Sequence, residues 1–205
     1  MTRLAVELAA AYGIGSIPFA YLIPRIFLRV DIREHGSGNP GATNVYRTMG
    51  PAAGLTVGAL DFMKGYLGVA MVRAWDPELE SWGTVAAGLA AIAGHNWPVW
   101  LGFRGGKGVI TSAGVFLYLA WLPVLGTLAV FAPVFWLSGY VSLASMSAAM
   151  ALPVLVFFLR GTWNAAAIET AAIAVALVII GRHWSNMRRL VAGNENRLRA
   201  PGRLP

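Results

Sequence analysis

The 205-residue chain contains no cysteine. Disulfides, cysteine metal sites and any acyl-thioenzyme intermediate are therefore excluded, and its chemistry must come from other groups. Charge is also scarce. Lys, Arg, Asp and Glu make up 12% of the residues against 57% hydrophobic, a balance too apolar for a soluble domain of this length. The three histidines, His35, His95 and His183, lie far apart and give no metal-ligand spacing, so no metal is expected, and no cofactor-binding motif is read in the chain. Acids are rarer than bases, 9 against 16, for a net charge of +7. The cations sit at the ends of apolar runs, where membrane lipid or a phosphate substrate is a better partner than nucleic acid, for which no motif is present.

What remains is long and apolar. Leu4 to Ile23 exceeds a signal-peptide core and is read as a first span. Pro51 to Val72 is a second, interrupted by Asp61 and Lys64, and Trp82 to His95 is a short third. Val109 to Leu159 carries no charged residue or histidine. As helix it would extend ~76 Å, enough to cross a core of about 30 Å two or three times, with Pro123, Pro133, Gly139 and Pro153 as places for turns or kinks. Trp163 to Gly181 is a last span.

Charge sets the orientation. Arg25 to Arg47 holds four arginines against Asp31 and Glu34, the 95–108 loop adds Arg104 and Lys107, and six arginines follow Gly181 against Glu195. These belong on the cytoplasmic side, whereas Arg73 to Glu80, with one arginine and three acids, faces outward. The expected fold is thus all-α, a polytopic membrane protein of about seven transmembrane helices, N-terminus outside and C-terminus cytoplasmic, in a single domain over residues 1–205. Six spans with one re-entrant segment is the alternative count.

Three polar clusters gather on that inner face. The first is His35-Gly-Ser37-Gly38-Asn39-Pro40-Gly41-Ala42-Thr43-Asn44-Val-Tyr-Arg47, where a turn enforced by glycine and Asn-Pro carries hydroxyl, amide and guanidinium groups suited to a polyol phosphate. The second, His95 to Gly108, ends in Arg104-Gly105-Gly106-Lys107-Gly108. Such a turn can curl bare N–H groups around an anion that the two cations neutralise. It is not a nucleotide P-loop, since no Ser or Thr follows the lysine. The third is Arg182-His183-Trp-Ser-Asn186-Met187-Arg188-Arg189-Leu190, then Gly193 and Glu195. On a helix continuing from the last span, His183, Asn186 and Arg189 share a face. An ordinary inside-positive loop accounts for the same residue types, and Arg188, Arg197, Arg199 and Arg203 are read as a basic membrane anchor. Asp61 and Lys64, at i and i+3 and about 15 Å into their helix, can pair within the membrane.

In this order the clusters resemble the motifs of the bacterial acyl-phosphate-dependent glycerol-3-phosphate acyltransferase family. The first is similar to Ser-Gly-Asn-x-Gly-Ala-x-Asn-x-x-Arg, carried by Ser37, Gly38, Asn39, Gly41, Ala42, Asn44 and Arg47. The second resembles Gly-His-x-x-Pro followed by a basic residue and Gly-Gly-Lys-Gly, matched by Gly94, His95, Pro98 and Arg104 to Gly108. The third resembles Arg-His-x-x-Asn-x-x-Arg-Leu-x-x-Gly-x-Glu, matched from Arg182 to Glu195, and Asp61-Phe-Met-Lys64-Gly65 looks like the family's helix-borne Asp-x-x-Lys-Gly. Trp100 and Met187 are the departures.

The resemblance implies one integral-membrane acyltransferase domain that moves a fatty acyl group from acyl phosphate to the 1-hydroxyl of glycerol 3-phosphate, giving lysophosphatidic acid and phosphate. It also implies a site on the cytoplasmic face of a bacterial cell membrane (the inner membrane of a Gram-negative cell) and a soluble partner enzyme that makes acyl phosphate. Acyl phosphate is already activated, so aligning hydroxyl and carbonyl does much of the work. Lys107 and Arg104 are expected on the donor phosphate with Gly105, Gly106 and Gly108. Ser37, Gly38, Asn39, Asn44 and Arg47 are expected on the acceptor, with Arg189 and Glu195 as further substrate contacts, Asn186 beside Lys107 among the catalytic residues, and Asp61 and Lys64 as support. Ser37 as an acyl-accepting nucleophile is a second reading, weakened by the lack of a sequence-local base. His95, His183 and a substrate phosphate oxygen are the candidate proton acceptors. A phosphate or organic-phosphate transporter is the alternative from another class; it should show internal repeats and polar groups at mid-membrane, and apart from Asp61 and Lys64 the polar residues lie at one face.

Overall fold

The structure, a computed structural model, describes residues 2–159 and 165–198. Among these residues it is all helical and forms two compact units, Met1–Leu119 and Ala120–Pro205. The expectations on Trp163, Arg199 and Arg203 fall outside the described residues.

In the first unit α1 (Thr2–Gly15) and α2 (Phe19–Leu28) replace the expected continuous first span, bent by 42° at the break. Pro18 is the cause. It lacks an N–H to continue the ladder and steers Ile17 away from helical dihedrals. A 3-10 turn over Ile32–Glu34, capped by Asp31 through the Arg33 N–H, leads to α3 (Ala42–Met49) and then to α4 (Pro51–Trp75), α5 (Ser81–Asn96) and α6 (Val109–Leu119). Ala20, Ile32, Val45 and Val57 form a buried cluster that pins the 3-10 turn and α3 against α2 and α4. Polar loops at this end thus rest on an apolar floor. Where α4 meets α6, Gly65 lies on the Thr111 backbone and Gly114 on that of Phe62, the close approach by which helices gain dispersion contact when apolar burial against lipid gains nothing.

The second unit comprises α7 (Trp121–Ser138), α8 (Val141–Leu159), α9 (Ala165–Arg182) and α10 (Trp184–Val191). Of the four places expected for turns or kinks in the charge-free run, Gly139 ends a helix, its left-handed φ of 72° closing α7. Pro123 sits in the first turn of α7, where its missing N–H removes no bond, and Pro133 and Pro153 lie inside helices. Nor does the last span continue through the third motif. The chain bends 56° at His183, so α10 carries Asn186 and Arg189 on a helix of its own.

By length and composition α4, α7 and α8 can cross a membrane, or five segments if each bent pair counts as one. The expected third span is α5, whose 16 residues reach only about 24 Å. Trp136 and Leu137 are each 86% exposed, a placement that only lipid makes favourable.

Candidate active site

Glycine governs the shape of the first polar loop. Gly36 has φ 59°, a conformation other residues avoid, and a Cβ there would strike Asn44 Oδ1. That oxygen accepts the Ser37 N–H at 2.9 Å, while Asn44 Nδ2 donates to the carbonyls of His35 at 2.9 Å and Ile32 at 3.2 Å. Asn44, expected on substrate, is buried with its amide fully committed to the loop's own backbone. Ser37 is exposed, Gly38 and Asn39 are partly so, and Arg47 stands half-buried in the last turn of α3. The sequence motif therefore separates into a buried keystone and an outward face.

The glycine turn departs from its expected use. Gly105 donates its N–H to the Asn96 carbonyl at 3.1 Å and Gly106 to the His95 carbonyl at 3.1 Å, so these groups close the turn onto the end of α5. The reason is local. Trp97 ends α5, leaving the last carbonyls of that helix in need of donors, and the turn supplies them. Glycine is required at 106 because a Cβ there would collide with the His95 ring. Lys107 lies half-buried between buried Gly106 and Gly108, at the start of α6, where first-turn N–H groups and the helix dipole favour an anion. Arg104 is exposed beside it.

Behind the turn lies a buried polar chain. Lys64 Nζ sits 2.9 Å from Asp61 Oδ1 and donates to the Ile17 carbonyl at 2.7 Å, a second donor there beside the Phe19 N–H at the α1–α2 break. Asp61 Oδ1 is also 3.6 Å from His95 Nδ1. The His95 ring therefore stands between a membrane-helix carboxylate and the glycine turn. This is a geometry in which the carboxylate favours the proton on Nδ1 and leaves Nε2 toward Gly106.

In the second unit the third motif folds upon itself. Glu195 Oε1 accepts from Ser142 Oγ at 2.8 Å and Asn186 Nδ2 at 2.6 Å, and Oε2 accepts from Arg189 Nε at 2.7 Å. Glu195 thus ties α10 and the tail to α8. Three residues expected in the site, the catalytic candidate Asn186 and the substrate contacts Arg189 and Glu195, are held by one another, and Ser142, inside the charge-free run, gave no sequence signal of belonging with them. His183, buried at the bend, places Nδ1 2.8 Å from the Ile179 carbonyl. A carbonyl only accepts, so Nδ1 carries the proton. Arg197, expected to be a membrane anchor, instead stacks its guanidinium 5.0 Å from the Tyr140 ring centre.

Burial raises the Glu195 carboxyl, but the hydrogen bonds from Asn186, Ser142 and Arg189 and the Arg189 charge outweigh it and hold the group below the ordinary range. A depressed value stabilises the fold above the unfolded pKa of about 4.3 and loses that contribution as pH falls below it. Glu195→Gln should therefore lower the thermal stability of the detergent-solubilised protein at pH 7, by up to about 1.5–3 kcal/mol for a charged hydrogen bond. It should also flatten the loss of stability seen between neutral and acid pH. Melting curves for both proteins at two pH values check this, and equal acid sensitivity in the variant would reject the latch.

Comparison with known proteins bears on this arrangement. A family model described as glycerol-3-phosphate acyltransferase matches residues 5–193. Relatives of the same description include that of Synechococcus sp. (strain CC9902), 44% identical over 196 residues covering 96% of each chain. That of Syntrophotalea carbinolica is 45% identical over 201 residues, 98% of this chain and 100% of the relative. The crystal structure of PlsY (YgiH), an integral membrane glycerol 3-phosphate acyltransferase, in its glycerol 3-phosphate form superposes with a TM-score of 0.87 at 36% identity, covering 96% of both chains. Its lysophosphatidic acid form gives 0.85 at 35% identity, covering 96% of this chain and 95% of the other.

Proposed function

The chain belongs to the glycerol-3-phosphate acyltransferase family, and from that premise we propose that its acyl donor is acyl phosphate and that the two polar loops of the first unit divide the two phosphates between them. Acyl transfer to glycerol 3-phosphate in phospholipid synthesis is the family's activity and the activity of this membrane protein. The observation that carries our reading of the site is Lys107 held between two buried glycines at the start of α6. Its ammonium faces the donor phosphate together with Arg104 and the first-turn N–H groups of α6, and it stabilises the charge that gathers on the departing phosphate.

Arg47, Ser37 and Asn39 orient the acceptor. The 1-hydroxyl oxygen attacks the acyl carbon, the new ester C–O bond forms, the carbon–oxygen bond to phosphate breaks, and inorganic phosphate leaves with the bonding pair. The hydroxyl proton passes to His95, whose Nδ1 faces Asp61, or to the departing phosphate. Asn44, Gly105 and Gly106 act by shaping their loops. Asp61 and Lys64, the residues that favoured a transport reading, are committed to Ile17 and His95, in keeping with a supporting role.

The same reading holds the family match across both units as one acyltransferase domain and keeps seven crossings, N-terminus outside, with all three motifs cytoplasmic, in keeping with the arginine distribution. Because the chain lacks native cysteine, single cysteines at Arg104 and Glu78 test the orientation. Position 104 should react with an impermeant thiol reagent only after permeabilisation and position 78 before it. The reverse pattern would overturn the topology.

Kinetics of Arg47→Lys test the acceptor site. A guanidinium offers phosphate two parallel N–H groups, which an ammonium cannot reproduce. The variant should fold normally and raise the KM for glycerol 3-phosphate about tenfold, roughly 1.4 kcal/mol of lost binding. An effect confined to acyl phosphate saturation would move Arg47 to the donor side.

A further inference from the structure

Asn96 is the last residue of α5 and lies within the second motif, at a position the motif leaves unspecified. It is 0% exposed. Its backbone carbonyl receives the Gly105 N–H, as described above, but its side-chain amide has no hydrogen-bond partner among the described residues at either Oδ1 or Nδ2. That amide lies beside Gly108, the residue immediately before α6. Gly108 has φ 81°, and a Cβ there would stand 2.7 Å from Asn96 Oδ1 and 3.1 Å from Nδ2. Gly108 is also where the helix ladder begins, its carbonyl accepting the Ser112 N–H at 2.8 Å.

Two more buried polar groups belong to the first turn of the same helix. Thr111 Oγ1 and Ser112 Oγ are enclosed, at 0% and 3% residue exposure, and likewise lack a hydrogen-bond partner among the described residues. A buried amide with both ends unsatisfied is expensive, and native structures keep such groups only for a reason. Asparagine also competes poorly for a place inside an apolar helix end unless its amide does something there. Here the reason is adjacent. The amide sits beside the helix start that, with Lys107, faces an anion, and an amide N–H is a donor a phosphate oxygen accepts.

We propose that Asn96 is a binding residue for the phosphate held at the start of α6, donating Nδ2–H to a phosphate oxygen from beneath the glycine turn while Lys107 supplies the charge. The inference rests on the reading of that turn as the donor-phosphate site. It adds to that reading a neutral donor fixed by the end of α5, so that the phosphate is held from the two helices the turn connects. It also gives a second use for glycine at 108, since any side chain there would occupy the path from the amide to the helix start.

Asn96→Leu keeps the volume and removes the polar ends. The ligand-free variant should melt in detergent at the wild-type temperature or above, because an unsatisfied amide has been removed from an apolar site. The shift in melting temperature that inorganic phosphate gives the wild type should shrink, and the KM for acyl phosphate should rise about tenfold, the loss expected for one hydrogen bond to a charged group. The KM for glycerol 3-phosphate should stay within about twofold, as the two sites are read as separate. Asn96→Asp serves where the leucine variant fails to fold, since the same-sized carboxylate repels a bound phosphate and should abolish the phosphate-induced shift. A phosphate shift and acyl phosphate KM unchanged in the folded variant would overturn the proposal. Lys107→Ala in parallel separates the two ideas. If it too leaves the phosphate shift intact, the turn is not the phosphate site; if it removes the shift and Asn96→Leu does not, only the role of Asn96 falls.

Discussion

Lys107→Ala is expected to reduce turnover by about a hundredfold or more, the loss typical when a donor aimed at developing charge is removed. The helices should remain intact. Lys107 is half-buried on a turn whose closure depends on backbone bonds from Gly105 to Asn96 and from Gly106 to His95, none of which involves the lysine side chain. Lys107→Arg should recover only part of the rate, because a planar fork does not fit where a compact ammonium is framed by two buried glycines. The check is kcat and melting temperature measured on the same preparation. A rate within about threefold of wild type, under ~0.7 kcal/mol of barrier, would remove Lys107 from the chemistry.

The other large effect is at Asp61. Its carboxylate and the Lys64 ammonium are 2.9 Å apart with side chains 4% and 3% exposed, so neither has water to fall back on. Asp61→Ala strands a buried cation with only the neutral Ile17 carbonyl and the face of the Phe19 ring as its other described contacts. Breaking a buried pair from one side typically costs about 3–5 kcal/mol, and the variant should melt far lower or fail to accumulate. Replacing both partners is a different experiment. Asp61→Leu with Lys64→Met removes both charges and should recover most of the stability, as apolar replacement of buried pairs commonly does. Activity should not return with it, because His95 would have lost the carboxylate 3.6 Å from Nδ1. Melting curves and turnover of the single and double variants decide the matter. A double variant that is both stable and fully active would reduce the pair to a structural filler.

Much of the candidate site was legible in the sequence because its signals are local in the chain. Arg104 and Lys107 are cations in a glycine-rich turn before an apolar helix and Arg47 follows another such turn by a few residues, and charge placement, turn chemistry and helix length can each be read within a window of about a dozen residues. Other features were not legible. Whether Gly105 and Gly106 present their N–H groups to a ligand or to the end of α5 depends on where the chain returns after Trp97. Asn44 reads as an exposed loop amide until the loop is seen to close around it.

The sequence by itself determined the class of molecule: an all-helical membrane protein, cationic at the ends of its spans, carrying three motifs in the order of one acyltransferase family. Composition, apolar run length and motif spacing are properties of the chain and survive any arrangement of it. Tertiary structure alone decided the partners. Lys64 meets the Ile17 carbonyl at the break between α1 and α2, Asp61 meets His95, and Glu195 turns inward to Ser142, Asn186 and Arg189. The physical reason is that a buried polar group must be satisfied by whatever the fold brings within about 3 Å of it. Which residues distant in the chain become neighbours is set by how closely the helices approach, as where Gly65 and Gly114 let α4 and α6 close on each other's backbone.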